Sequence, residues 1–262
     1  GTTMSAAESQ RILMIGAHGM LGRPVAREFV KEGFRVRALA RDPERARPLL
    51  PDAVDVVGGD LRSIDDLRGA ADGVDAIYIN LSTMRASSTF QAERDGVRNL
   101  VEALRGFPPT PCLKISGLGM TQDTSGWPEA EQKREADERL LDGEHPAVIF
   151  QPSWMMESIP LMIRGRFLMQ MGGARVPIRW LAGEDLGRWA IAAIRHPETW
   201  NRAWPAEGLE ALSVDAACRR FVQAWDPQIR IVPNPLWMSR LAGVFLPMFR
   251  NLVKIVEVTN AQ

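Results

Sequence analysis

Tyrosine is almost missing from this chain: among its 262 residues there is one, Tyr78. No tyrosine stands four residues before a lysine, so chemistry that depends on a Tyr-x-x-x-Lys pair is excluded. Cysteine is equally scarce. Cys112 and Cys218 lie far apart, which leaves no disulfide framework and no zinc site to expect, and no other metal cluster is suggested. Both thiols suit a buried apolar role. Net charge is missing too, because 32 basic residues cancel 32 acidic ones. With no charge excess there is no electrostatic reason to expect nucleic acid or an anionic membrane as partner. Long apolar runs are also lacking. The most apolar late stretch, Leu241 to Phe249, contains Pro247, is bracketed by Arg240 and Arg250, and falls short of the ~20 residues of a membrane span. The first ten residues hold no basic side chain, so no secretory signal is expected, and a reducing cytoplasm is the expected compartment.

What is present is the composition of a globular protein, 45% hydrophobic and 24% charged. From residue 11 to about 155, short apolar runs alternate with amphipathic stretches, the βαβ signature of a parallel sheet. Strands are expected at Ile12–Ile15, Val36–Ala40, Val54–Val57, Ala76–Asn80, Leu113–Ser116 and Val148–Gln151. Asp42-Pro43 reads as a helix cap with Pro at the first position, and Ser63 to Asp66 as a capping box with Asp in place of Glu. Asp185 reads as the cap of a further helix, Leu186–Ile194. The expected architecture is a Rossmann doubly wound sheet over residues 10–155, with 180–197 packing back on it. Residues 156–262 are expected to form a smaller mixed α/β lobe for substrate or partner, with a helix at Val214–Trp225, a strand near Ile229–Val232 and an apolar helix after Pro235.

The first strand runs into Gly16-Ala17-His18-Gly19-Met20-Leu21-Gly22 and then a helix. A diphosphate needs backbone N–H groups with no side chain in the way, and a helix N-terminus adds partial positive charge. Gly16, Gly19 and Gly22 supply the tight turn, the close approach and the helix packing in that order. Strand two ends Ala38-Leu39-Ala40-Arg41. Asp42 is used as a cap, so Arg41 is the first charged side chain beyond the strand, placed for a 2′-phosphate. His18 and Arg23 can add to the same pocket. NADP(H) is therefore expected ahead of NAD(H). Asp60 follows strand three and is read as a contact to adenine, the alternative being a turn carboxylate that bonds its own backbone.

Taken together, Gly-x-x-Gly-x-x-Gly, Val-Arg-Ala-Leu-Ala-Arg41, Gly-Asp60-Leu61, Glu93-x-Asp95-Gly96-Val97-x-Asn99, Ser116-Gly117, Lys133, Gln151-Pro152-Ser153-Trp154-Met155-Met156-Glu157, Glu184-Asp185-Leu186 and Leu212-Ser213-Val214-Asp215 resemble the atypical short-chain dehydrogenase/reductases of the NmrA-like group. The resemblance implies that Gly16, Gly19, Gly22 and Arg41 bind the cofactor phosphates, along with the loop residues His18, Met20 and Leu21. It further implies that Asp60 and Leu61 hold adenine, that Lys133 contacts the ribose and that Pro152 borders the nicotinamide. His18 departs from the small or hydroxyl residue usual in that loop, and Gln151 from a frequent Arg.

Classical members of the wider family use a Ser, a Tyr and a Lys, the Tyr giving up the proton. Ser116 and Lys133 stand where the serine and lysine belong, but Glu129 occupies the tyrosine position. Glu129 is a candidate acid or simply the i, i+4 surface partner of Lys133. The missing tyrosine argues against ordinary alcohol dehydrogenation and against sugar-nucleotide epimerisation. Two classes remain. One is an NADPH-dependent reductase of quinone-like or conjugated apolar substrates, with Met84, Met120, Trp127, Trp154, Met155 and Met156 as pocket residues or, equally, as core. The other is a non-catalytic NADP(H) redox sensor that acts on a regulatory protein partner. Monomer and homodimer are both open.

Overall fold

The structure, a computed structural model, describes residues 10–82, 89–119, 126–243 and 247–261. Met84 and Met120, two of the expected pocket residues, lie outside the described residues.

The chain opens with β1 (Arg11–Ile15), α1 (Gly22–Lys31), β2 (Arg35–Ala40), a single turn α2 (Pro43–Ala46), β3 (Asp55–Gly58), α3 (Ile64–Ala71) and β4 (Ala76–Ile79). A π-turn at Ala92–Gly96 leads into α4 (Val97–Ala103), followed by β5 (Cys112–Ile115), α5 (Pro128–Leu141) and β6 (Ala147–Pro152). Next come β7 (Ile163–Arg164), β8 (Phe167–Met171), β9 (Ile178–Arg179), α6 (Gly183–Arg195), β10 (Arg202–Ala206) and β11 (Ala211–Leu212). The last elements are α7 (Val214–Trp225), β12 (Arg230–Asn234), α8 (Leu236–Gly243) and α9 (Pro247–Ala261).

Six strands pair in the order β3-β2-β1-β4-β5-β6, all parallel, and β10 adds a seventh at the β6 edge. That order, reversing between β1 and β4, is the Rossmann arrangement, and it places ligands beyond the carboxyl ends of the strands. Ile12 pairs with Val36 on one side and Ala76 on the other. A parallel sheet covered on both faces needs apolar residues at successive positions, and β4 is buried at all four.

The chain divides into two compact units. The first holds residues 10–116, 132–150 and 183–204. Leu13, Ile15, Ile77, Ile79, Leu100 and Ile149 are among its fully or nearly buried core. Each such side chain contributes about 1.5–3 kcal/mol by leaving water. Within this unit α6 lies against α1 so closely that a Cβ on Gly187 would stand 2.9 Å from Cβ of Glu28. The helix starts at Gly183, so Asp185 is not its cap; it sits in the first turn and takes a 2.6 Å hydrogen bond from Arg188. At α3, Ser63 Oγ accepts from the Asp66 N–H as expected, but Asp66 does not close the box. Its carboxylate reaches back to the backbone N–H of Asp60 instead, at 2.9 Å.

The second unit holds residues 117–119, 126–131, 151–182, 205–243 and 247–261. Its core gathers Leu168, Ile178, Trp180, Val214, Cys218 and Ile229 beside a sheet in the order β12-β8-β7, with β9 and β11 as a separate antiparallel pair. Pro233 lies in β12, and an edge strand is where the lost N–H is tolerated. Helix α9 is fastened by two indoles: Trp127 Nε1 donates to Asn251 at 2.7 Å and Trp154 Nε1 to Thr259 at 2.9 Å.

Candidate cofactor and active site

The loop between β1 and α1 has three glycines with three different physical tasks. Gly16 has φ +84°, and a Cβ there would stand 1.9 Å from the Asn80 carbonyl oxygen. At Gly22 a Cβ would stand 2.1 Å from the Gly16 carbonyl oxygen. Both are demanded by the protein's own backbone. At Gly19 a Cβ would meet only the Gly16 oxygen, at 3.3 Å, so a side chain there projects into space the fold does not use. The next helix starts from Leu21 with no side-chain cap and no acid in its first turn, which leaves N–H groups and dipole for an anion. Met20 and Leu21 are half-buried in the loop.

His18 fits the same reading. Its Nδ1 is buried with no partner among the described residues, a costly arrangement for a polar atom. Burial pushes its pKa below 6.5, and the positive charges of Arg41 and Arg23 push in the same direction. The two positive charges that act on His18 make this a place that favours an anion. Arg41 itself is exposed just beyond β2 and makes no ion pair among the described residues. An uncapped helix start, a cradle that one Cβ would fill and an orphaned imidazole nitrogen are features a dinucleotide's phosphates satisfy. Asp60 uses one oxygen to accept from the Arg62 N–H at 2.9 Å, the self-bonded turn geometry.

The motif from Glu93 to Asn99 is explained by neighbouring contacts. Asn99 Nδ2 donates to the Leu61 carbonyl at 2.9 Å, and Gly96 has no Cβ because one would crowd the Leu61 side chain at 3.3 Å. Asp95 accepts from the Gln91 N–H at 2.7 Å and pairs with Arg98 at 3.3 Å. Glu93 points inward. Its carboxylate, fully buried, pairs with both Lys133 and Lys114.

Lys114 sits in the middle of β5 with no exposed surface. Its ammonium faces three acceptors: Asp137 at 2.8 Å, Glu93 Oε2 at 2.8 Å as a charge contact rather than an aligned hydrogen bond, and the Ile115 carbonyl at 3.2 Å. Asp137, one turn after Lys133 on α5, takes the Ser116 hydroxyl on its other oxygen. A continuous chain therefore runs Lys133–Glu93–Lys114–Asp137–Ser116, with two positive and two negative groups. Burial alone would raise the pKa of Glu93, but the two lysines outweigh it and hold the carboxyl below 4.5. Burial alone would lower Lys114; Glu93 and Asp137 outweigh it and hold the ammonium above 10.5.

Of the residues singled out in sequence, the structure brings Ser116 and Lys133 into one network. Lys114 and Asp137 are not singled out in sequence, and Glu93 only as part of the Glu93–Asn99 motif with no role, although a lysine inside an apolar strand is a visible signal. Glu129 is half-buried near the start of α5. In the second unit Pro152 ends β6 and its carbonyl accepts from the Leu118 N–H at 3.0 Å. There Trp127 and Met155 are buried, and Trp154 packs edge-on to Trp180 with ring centroids 5.5 Å apart. Met156 is exposed.

A six-strand Rossmann order with a glycine loop at its first crossover defines the fold of a dinucleotide-binding protein. Residues 16–197 match the family described as NAD(P)H-binding, and the chain belongs to that family. It is 26% identical over 246 residues to the NAD(P)H azoreductase of Xenophilus azovorans, covering 90% of this chain and 82% of the relative. It is 24% identical to the photosystem II assembly factor Ycf39 of Synechocystis, covering 92% of this chain and 75% of that one. Among solved structures, the NADPH-dependent quinone oxidoreductase of Escherichia coli complexed with NADPH superposes with a TM-score of 0.72 at 18% identity, over 95% of this chain and 89% of that one. Among the described residues no helix is long and apolar enough to cross a membrane.

Proposed function

We propose that this protein is an NADPH-dependent reductase whose substrates take up hydride into a conjugated system, as quinones and azo aromatics do. The observation that carries this reading is the neutral, tyrosine-less network at the carboxyl end of β5. In a Tyr-Lys enzyme the lysine's free charge lowers the tyrosine pKa and the tyrosine gives up the proton. Here Lys133 spends its charge on buried Glu93, and the only tyrosine is buried inside β4. An isolated alkoxide would have no tyrosine to take its proton from. A quinol or hydrazide anion is stabilised by its own π-system and takes its proton from water, so its formation needs less from the protein. NADPH supplies the hydride and leaves as NADP+. Arg41 and Arg23 favour the phosphorylated cofactor by charge, His18 adds a hydrogen-bonding imidazole, and the Gly19 cradle and the α1 terminus suit its diphosphate. The azoreductase relative supports the same reading.

A plate of quinones, azo dyes, ketones and secondary alcohols, scored by NADPH absorbance, tests it. Turnover is expected with the first two classes, and Glu129→Gln should change it by less than the ~10²–10⁴-fold typical of a lost general acid. Ketone reduction that collapses in Glu129→Gln would overturn the reading. The likeness to Ycf39 favours a second one, an NADP(H)-binding factor that acts on a protein partner without turnover. Tight NADPH binding with no turnover of any acceptor would select it.

A further inference from the structure

A serine hydroxyl has one proton and two lone pairs, so whichever group takes the proton decides what the oxygen offers elsewhere. In this chain Asp137 takes it. The other Asp137 oxygen is held by the Lys114 ammonium at 2.8 Å, and a carboxylate paired in that way only accepts. The proton in the Ser116–Asp137 contact therefore belongs to the serine. Among the described residues none offers an exchange: the Lys114 ammonium already faces Asp137, Glu93 and the Ile115 carbonyl. The serine backbone is fixed as well, its N–H donating to the Phe150 carbonyl at 2.8 Å. To turn its hydroxyl outward, Ser116 would have to give up a charge-assisted hydrogen bond, roughly twice as strong as a neutral one, and leave a nearly buried carboxylate short of a donor.

We infer that Ser116 presents a hydrogen-bond acceptor, not a donor, at the carboxyl edge of the sheet, and that the site selects ligands bearing an O–H or N–H on their conjugated system. In the usual reductase arrangement a serine donates to the carbonyl being reduced; here Asp137, set by Lys114, reverses that polarity. Asp137 and Lys114 are positioning residues, and Ser116, 6% exposed, is the group through which they act on a ligand. The choice of conjugated ligands rests on the reductase reading, whereas the polarity of Ser116 rests on its own contacts.

The test uses the full-length protein saturated with NADP+ and two dyes, para-hydroxyazobenzene and para-methoxyazobenzene, with dissociation constants measured by tryptophan quenching. The hydroxy dye should bind about tenfold more tightly, the scale of one hydrogen bond. Ser116→Ala should abolish the preference and Ser116→Thr should retain it. Asp137→Asn offers an amide N–H to the serine oxygen and frees its proton outward, so the preference should vanish or reverse. Equal or tighter binding of the methoxy dye by the unmodified protein would overturn the inference. So would binding of neither dye, or an unchanged preference in a folded Asp137→Asn variant. NADPH oxidation is recorded in parallel. Discrimination between the dyes without any turnover would sink the reductase reading and leave the polarity of Ser116 standing.

Discussion

Oε2 of Glu93 stands 2.8 Å from Nζ of Lys114, and neither side chain exposes any surface to solvent. Two buried opposite charges stabilise little compared with apolar residues of the same shape, but removing one of them strands the other. Glu93→Gln or Lys114→Met alone should each cost about 3–5 kcal/mol. The double variant should cost clearly less than the sum, because the two losses share one cause. Urea unfolding of the four proteins measures this. Two additive losses below about 1 kcal/mol each, the range of a surface pair, would contradict the buried network.

The same network sets the pH range of stability. Glu93 is held below its ordinary 4.5, so its contribution is complete above that value and is lost as pH falls through the depressed folded value. Lys114 is held above 10.5, so its contribution is complete below that value and is lost as pH rises through the elevated one. Thermal unfolding should therefore show no dependence on these two groups between those limits and a loss at each end. Glu93→Gln should flatten the acid limb relative to the parent. A steeper acid limb in that variant would contradict the assignment.

The glycine loop separates folding from binding. Gly22→Ala should destabilise the protein, since its Cβ would stand 2.1 Å from a backbone oxygen. Gly19→Val should fold and fail to bind NADPH, because its side chain enters only the space reserved for phosphate. Circular dichroism with calorimetric titration distinguishes the two. A folded Gly19→Val protein with parental NADPH affinity would move the site elsewhere.

Cofactor choice rests on Arg41. NADPH should bind more tightly than NADH, and Arg41→Ala should narrow the gap by about tenfold, weakening NADPH alone, the scale of one charge-assisted contact at an exposed position. Equal affinities for the two cofactors in the parent protein would refute this.

Local signals gave the Rossmann half readily. Alternating apolar runs located β1 to β6 to within a residue or two, and Asp42 and Ser63 cap the helices they were expected to cap. Asp185 failed as a cap because α6 starts two residues earlier, at Gly183. The two small sheets of the second unit have strands as short as two residues, below the length at which periodicity carries information. The site divides in the same way. Glycine spacing and Arg41 are local patterns, readable in order. The Glu93–Lys114–Asp137 network joins three elements far apart in sequence, and only the sheet order brings them together. Lys133 illustrates the difference: its spacing from Glu129 suggests a surface pair, while its ammonium turns inward to a carboxylate 40 positions away.

Tyr78 lies wholly inside β4, edge-on to Phe29 with ring centroids 6.0 Å apart, its hydroxyl without a hydrogen-bond partner among the described residues. Burial alone raises its pKa far above 10.0, so the phenol stays protonated for as long as the sheet stands. The ultraviolet band of tyrosinate can then grow only in molecules whose central strand has come apart. With a single tyrosine no other phenol contributes to that band, and the change from the eight tryptophans is subtracted with a Tyr78→Phe control. In alkali the chain thus carries its own label-free optical clock for the opening of its innermost strand, and stopped-flow absorbance would read the unfolding rate from it directly.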